Sequence, residues 1–325
     1  MRIIVTGASG FIGTHLLELL RSSEHQVTNV DIRAPQLASP ANATWRNCSI
    51  LNRAALADVF HEIQPTHVIH LAAYTSIEAR SLNEFSANIE GTANLLTAIK
   101  GVASVERIIV TSTQHVRIPG SGDPASDTDF IPYKYYGESK VLTERLTREA
   151  GLSCAWTIIR PTAVWGPGNL PLAEGLWWQM RRGTYFHPAH DSVVRSYGYV
   201  KNVVWQIQRL LQAPRSAIDR KVFYVADGNS RQFDWVNAVS RELVGHGVRT
   251  LPLWMIRGLA LFGDGVRAVG LTFPIYGARL ENLITNNSVP LAPTLQLLGE
   301  PPYSLKEGAM ETAEWLKGYY QAKES

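Results

Sequence analysis

The stretch Thr6-Gly-Ala-Ser-Gly-Phe-Ile-Gly13 follows a β-branched run, Arg2-Ile-Ile-Val-Thr6, and opens a helical pattern over Ile12–Leu20. Glycines at 7, 10 and 13 allow a tight turn, close approach of backbone to a pyrophosphate, and close packing of the helix on the strand. The unpaired N–H groups at the start of the helix would then face the phosphates. The spacing is GxxGxxG rather than GxGxxG. A glycine trio alone serves many tight turns; what gives this one meaning is the strand before it and the helix after it. Outward from this turn the chain alternates strand and helix patterns. Strands are expected at Ile3–Thr6, Gln26–Val30, Thr44–Asn47, His67–Leu71, Arg107–Thr111, Ala155–Ile159 and Val222–Ala226. Helices are expected at Ile12–Leu20, Arg53–Ile63, Glu84–Ile99 and Gly137–Ala150. Near-continuous apolar strands between amphipathic helices define an α/β fold with a doubly wound parallel sheet, covered on both faces.

Asp31 ends the second strand, about 20 residues after the glycine turn. A carboxylate there accepts the hydroxyls of an adenosine ribose and repels a 2′-phosphate, so NAD is expected over NADP. Arg33, two residues on, tempers that preference. The alternative is a solvated acid at a strand end.

A second constellation is Tyr136-Gly-Glu-Ser-Lys140. Positions i and i+4 share one helix face. A phenol with a pKa of about 10 is a weak base at neutral pH. A neighbouring ammonium and a positive nicotinamide ring favour the phenolate, which can then take a proton from a hydroxyl. Tyr133 and Tyr135 are close by, but only Tyr136 has a lysine four residues later.

Taken together, these residues resemble the extended short-chain dehydrogenase/reductases, the NAD-dependent epimerase/dehydratase family of nucleotide-sugar enzymes. The resemblance also rests on His70-Leu-Ala-Ala73, Asn88-Ile-Glu-Gly-Thr-Ala-Asn94 and Arg160-Pro-Thr-Ala-Val-Trp-Gly-Pro-Gly168. It implies a Rossmann sheet with a smaller, discontinuous C-terminal substrate domain, and ligands meeting at the carboxyl ends of the strands. The expected boundaries are 1–166 and 196–228 for the NAD-binding domain, and 167–195 and 229–325 for the substrate domain. By resemblance Thr113 is the active-site hydroxyl beside Tyr136 and Lys140, and His70 is a satisfied structural histidine. NAD would be lined by Gly7, Ser9, Gly10, Phe11, Ile12, Gly13, Asp31, Ile32, Arg33, Ser49, Ile50, Leu71, Ala72, Ala73, Asn88, Thr111, Tyr136, Lys140, Pro161 and Val164. A homodimer through the helices near 88–99 and 137–150 is also implied.

For substrate, the resemblance points to Thr113, Gln114, His115 and Ala163, and to Arg195 and Arg279 on a diphosphate. A planar guanidinium bonds phosphate bidentately, so two converging arginines suit such a ligand. Ala163 replaces a phosphate-binding asparagine. Gln114 and His115 stand where family dehydratases carry an acid pair, so 4,6-dehydration lacks its acid and base. Arg117 replaces a common tyrosine, and Ser49 and Asn52 replace aspartates near the adenine.

Apolar residues make up 45% of the 325 and charged residues 18%, the composition of a globular enzyme, and the net charge of +3 gives no argument for nucleic acid. A strand beginning almost at Met1 leaves no room for a signal peptide, so a cytoplasmic location is expected. Cys48 and Cys154 are expected as buried, reduced thiols. No apolar run reaches spanning length. Leu251–Phe273 comes nearest but is interrupted by Arg257, Asp264 and Arg267; it would lie on a membrane, wall an apolar pocket or, as expected here, pack as a helix of the small domain. His187 and His190 lack a third ligand, so no metal is expected. Trp177 and Trp178 would stack on a ligand ring or form the core and rim of one helix. The expected function is NAD-dependent modification of a nucleotide-diphosphate sugar, as 4-epimerase or keto-sugar reductase. The rival is a 3-beta-hydroxysteroid-dehydrogenase-like oxidoreductase acting on an apolar alcohol, which the run 251–273 and Pro301-Pro-Tyr-Ser-Leu-Lys-Glu-Gly308 resemble. A non-catalytic cofactor sensor is disfavoured by the intact Tyr136/Lys140 pair.

Overall fold

The computed structural model describes residues 1–36, 40–189, 192–271, 273 and 275–324. They form two compact units: Met1–Val164 with Val200–Asp227 and Pro290–Pro302, and Trp165–Tyr199 with Gly228–Val289 and Tyr303–Ser325.

The first unit is built on seven parallel strands: β1 (Arg2–Thr6), β2 (Gln26–Asp31), β3 (Ala43–Asn47), β4 (His67–His70), β5 (Arg107–Thr111), β6 (Ala155–Pro161) and β7 (Lys221–Val225). Their order is β7-β6-β5-β4-β1-β2-β3, reversing direction of growth between β1 and β4. There Thr6 pairs with Val30 on one side and His70 on the other. The reversal leaves a crevice at the carboxyl ends of the strands where a ligand fits. Alternation along each strand supplies two cores. Ile3 and Val5 face α1 (Phe11–Leu20) with Leu16, Leu17 and Leu20. Ile4 faces the other way, toward Leu56 and Phe60 of α2 (Arg53–Ile63) and Leu95 and Ile99 of α3 (Ser86–Lys100). Both faces are therefore dry, which is why the strands lack polar alternation. Cys48 and Cys154 are buried free thiols.

Element ends follow local chemistry. Asn52 caps α2, its side chain accepting from the Ala55 N–H at 3.1 Å. Thus the residue standing in for an adenine-side aspartate has a structural task. Helix α3 is preceded by a 3-10 turn, Leu82–Phe85, closed by reciprocal Ser81–Glu84 bonds. Helix α4 (Lys134–Glu149) starts three residues earlier than the sequence pattern implies. Helix α5 (Val200–Gln212), absent from the sequence reading, places Val203, Ile207 and Leu210 in the first core. Segment 290–302 belongs to the first unit rather than the second: Leu298 joins that core and the Thr294 hydroxyl donates to the Tyr224 carbonyl at 2.7 Å.

The second unit is held by aromatic packing. Trp235, on α6 (Gln232–Val244), stacks on Tyr197 at 4.2 Å and meets Trp177 at 5.0 Å and Trp165 at 6.0 Å. Trp178 rests instead on Tyr320, at 5.1 Å. Strand Val194–Tyr199 pairs antiparallel with Gly228–Arg231. The apolar run becomes α7 (Leu253–Ala268), followed by α8 (Gly277–Ile284). Only Ile256, Ala260 and Gly263 of α7 are buried, so packing explains one stripe of it and not the remainder. Helix α9 (Leu305–Glu324) opens with a capping box: the Ser304 N–H donates to Glu307 at 2.8 Å, and the Glu307 N–H to the Ser304 hydroxyl at 3.3 Å.

Candidate active site

The glycine turn is compelled by backbone proximity. Gly7 has φ +74°, and a Cβ there would stand 2.6 Å from the backbone of Ala72. A Cβ on Gly13 would stand 2.4 Å from the Cα of Ala8. Gly10 is the N-cap of α1 and makes no side-chain cap, so the first-turn N–H groups, those of Phe11, Ile12 and Gly13, are left for another acceptor. Asp31 is buried with one oxygen accepting from the Ser9 N–H at 3.1 Å and the other from the Arg33 N–H at 3.0 Å. The Ser9 hydroxyl donates to the Arg33 carbonyl at 2.8 Å and accepts from Asn29 at 3.0 Å. Ile32 is exposed beside Asp31. A bare helix N-terminus with a carboxylate at the next strand end fits the pyrophosphate and adenosine ribose of a dinucleotide.

Around this turn the other expected residues divide. Ile50 is buried against Gly91, where a Cβ would come within 2.5 Å of its side chain, and the Ser49 hydroxyl accepts from the Leu51 N–H. Leu71, Ala72 and Ala73 leave the end of β4, Ala72 donating to the Thr6 hydroxyl at 3.3 Å. Asn88 is fully buried with its amide engaged: it accepts from the Tyr74 N–H at 2.7 Å and donates to the Tyr74 carbonyl and the Ser139 hydroxyl, both at 2.9 Å. Pro161 ends β6, and Ala163 and Val164 follow in Ala163–Trp165.

His70 is satisfied on both ring nitrogens, 2.7 Å from the Thr6 hydroxyl and 3.1 Å from that of Thr92. Thr92 donates to the Asn88 carbonyl at 2.6 Å, so it accepts from Nε2–H and leaves Nδ1 to accept from Thr6. That neutral tautomer agrees with a pKa lowered to about 3 by burial and by the charge of Lys140.

Tyr136 and Lys140 sit one turn apart on the inner face of α4, both buried. Burial raises the pKa of the phenol to about 12, and the neighbouring Thr113 hydroxyl works against the rise. The ring lies between Phe85 and His115, each with its centroid at 6.2 Å. Lys140 donates to the carbonyl of Thr111 at 2.8 Å, at the end of β5. Burial lowers its pKa to about 8, opposed by the carboxylate of Glu144. Each group is thereby biased toward its neutral form until a ligand charge arrives. Thr113 caps the short turn Gln114–Val116, accepting from the His115 N–H at 3.2 Å. Among the described residues the Gln114 amide oxygen and the Thr111 hydroxyl are buried without a hydrogen-bond partner. Buried polar atoms left so call for an explanation, and a bound ligand supplies one.

A further set was not singled out by role from sequence. Glu144 is fully buried and accepts from the Ser112 hydroxyl at 2.6 Å and twice from Arg160 at 2.8 Å. Arg117 also takes a structural part, pairing with Asp129 at 2.7 Å. The available signals were Glu144 four residues after Lys140, and Arg160 charged within an otherwise apolar central strand.

In the second unit Arg195 donates to the Asn282 carbonyl and side chain and, at 3.2 Å, to the Thr285 carbonyl, closing the end of α8. Arg195 and Arg279 both act electrostatically on the buried Tyr185, which places them in one neighbourhood. His187 is 2.9 Å from the Tyr185 hydroxyl, whereas His190 lies outside the described residues.

Comparison with known proteins follows the same lines. Residues 3–226 match the family described as NAD dependent epimerase/dehydratase. A 3-beta-hydroxysteroid dehydrogenase of Mycolicibacterium neoaurum is 26% identical, over 98% of this chain and 91% of its own. An N-acetyl-alpha-D-glucosaminyl-diphospho-ditrans,octacis-undecaprenol 4-epimerase of Escherichia coli O157:H7 is 23% identical, over 96% and 94%. The UDP-glucuronic acid 4-epimerase of Bacillus cereus, solved with UDP-glucuronic acid and NAD, superposes with a TM-score of 0.75 at 22% identity, covering 98% of this chain and 100% of that one.

Proposed function

The chain belongs to the NAD dependent epimerase/dehydratase family, and from that premise we propose that it epimerises, at C4, a sugar carried on a nucleotide diphosphate. The observation that carries the reading is the buried Tyr136–Lys140 pair with the Thr113 hydroxyl beside the phenol. When bound, NAD supplies reversible two-electron oxidation of a carbinol carbon. Tyr136 takes the proton of the sugar hydroxyl and later returns it, Lys140 stabilises the phenolate, and Thr113 holds the reacting oxygen. Asp31 receives the adenosine ribose, and the N-terminal turn of α1 receives the pyrophosphate. Asn88 holds Tyr74 and Ser139 behind the cofactor rather than reaching for it, in keeping with its saturated amide.

Gln114 and His115 line the sugar, and the absence of a carboxylate at these positions removes 4,6-dehydration. Arg195 and Arg279 hold the diphosphate. NAD binding and the groups that meet the sugar are assigned to the first unit, and the diphosphate arginines to the second. The assembly proposed is a homodimer through α3 and α4.

The test is turnover on a panel of UDP-, GDP-, CDP- and dTDP-sugars, following the anomeric NMR signals of the product and absorbance at 340 nm together. An epimerase gives the C4 epimer with no net change in absorbance; stoichiometric NADH consumption would exclude it and leave keto-sugar reduction. Tyr136→Phe should lose at least ~10²-fold in rate while binding NAD as before. A second reading, oxidation of a hydroxysteroid-like apolar alcohol, is favoured by the 26% relative that spans the chain. It requires NADH to accumulate from such an alcohol with no response to nucleotide sugars.

A further inference from the structure

Helix α7 buries only Ile256, Ala260 and Gly263, a single i, i+4, i+7 stripe. The opposite half of the helix carries Trp254, Met255, Gly258, Leu261, Phe262, Gly265, Ala268 and, just past its end, Val269, without one charged or hydrogen-bonding group apart from the indole N–H. Trp254, Leu261 and Val269 are each 74% exposed and Phe262 62%, so these are among the most exposed large apolar side chains of the described residues. A Cβ built on Gly258 or Gly265 meets nothing within 4 Å, so the face is open at both positions, and the Phe273 ring meets it edge-on at Phe262, at 5.4 Å. A surface helix ordinarily turns polar residues to solvent, and an uninterrupted apolar face marks an interaction site.

The charges around it select the partner. Arg257 borders the face and is exposed, as is Arg249 on the strand that leads into the helix, whereas Arg267 continues the buried stripe and stacks on Tyr276 at 4.0 Å. The acid of the helix, Asp264, is committed to the Gly277 N–H, at 3.1 and 3.2 Å. A second copy brought face to face would add arginines to arginines, with no free acid on the helix to answer them. Anionic headgroups answer them directly. Sixteen residues give about 24 Å of helix, short of a span, and no described helix is long and apolar enough to cross a membrane. A helix of this kind lies in the plane of the interface, with tryptophan at the headgroup level.

We propose that the outward face of α7 docks on the surface of an anionic lipid bilayer, with Leu261 and Phe262 among the acyl chains and Arg257 at the headgroups. The docking holds whichever substrate the active site takes.

Flotation of the full-length protein with vesicles tests it. Phosphatidylcholine vesicles containing phosphatidylglycerol should carry the protein upward at low salt, and pure phosphatidylcholine should carry at least several-fold less. Arg257→Gln should weaken binding to the anionic vesicles about five-fold, the equivalent of about 1 kcal/mol per surface arginine. The combined Trp254→Ser, Leu261→Ser, Phe262→Ser variant should stay in the buffer fraction. Its thermal melt should match that of the parent within a few degrees, because all three side chains face outward. A parent protein that never floats overturns the proposal, as does a triple variant that floats equally well. A parent that ignores vesicles and forms a dimer which the triple variant dissociates overturns it in favour of a second copy.

Discussion

Lys140 shows how the site trades stability for chemistry. Its ammonium is buried with a pKa lowered to about 8, against 10.5 for the free group. In that window the unfolded chain holds the proton and the folded one does not, so stability rises as pH climbs from about 8 toward 10.5. Below pH 8 the burial penalty is fully present, on the order of 3 kcal/mol. Lys140→Met should therefore raise the melting temperature at pH 7 and narrow that gain by pH 10, while abolishing turnover. A variant that melts lower at pH 7 would show that the bond to Thr111 outweighs desolvation. His70 works at the acid end: lowered to about 3, it gives stability that is complete above about pH 6.5 and is lost as pH falls toward 3. Cofactor choice is assigned by our proposal to Asp31. Replacing it with alanine removes the acceptor for the ribose and the repulsion of a 2′-phosphate, so the preference for NAD over NADP should shrink by ~10-fold or more in parallel titrations. An unchanged ratio would place the discrimination elsewhere.

At the scale of elements, the site depends on how closely α4 approaches the turn Gln114–Val116. A Cβ on Gly137 would stand 2.2 Å from the carbonyl oxygen of His115, a backbone atom with no freedom to yield. Gly137→Ala should destabilise by roughly 1–3 kcal/mol by overpacking. Activity should fall further than stability does, because the shift parts Tyr136 from Thr113. Gly318, within α9, has nothing within 4 Å of a built Cβ, and there alanine should stabilise by up to ~1 kcal/mol through helix propensity alone. Opposite signs for the same substitution in two helices, read by chemical denaturation, are the expected result. The hydrogen-bonded set of Glu144, Ser112 and Arg160 ties α4 to β5 and β6. Removing one partner leaves a buried charge uncompensated, so Glu144→Gln should cost about 3 kcal/mol or more.

Across the whole molecule, the residues proposed for the cofactor and the two arginines proposed for the diphosphate, Arg195 and Arg279, fall in different compact units. The two affinities should then separate by mutation. Arg195→Ala should weaken a nucleotide sugar by about ten-fold or more, in line with 1.5–3 kcal/mol for a charged hydrogen bond, and leave NAD affinity unchanged. Isothermal titration with each ligand reads this directly. Loss of both affinities would show that Arg195 serves mainly to close α8, whose end it already binds.

The sequence alone determined the layered sheet, the glycine turn, Asp31 and the Tyr136/Lys140 pair, because each is local: a strand period, a turn that only glycine fits, a spacing of one helical turn. It also located the apolar run that became α7. Tertiary structure alone decided what rests on distant contacts. The approach of Thr113 to Tyr136, the pairing of Glu144 with Arg160 and the return of segment 290–302 to the first core all join residues far apart in the chain. So does the fate of α7: an apolar run states that burial is favourable, but which stripe is buried depends on what packs against it. In this protein α8 and its neighbours cover one stripe through Leu280, and the other remains open.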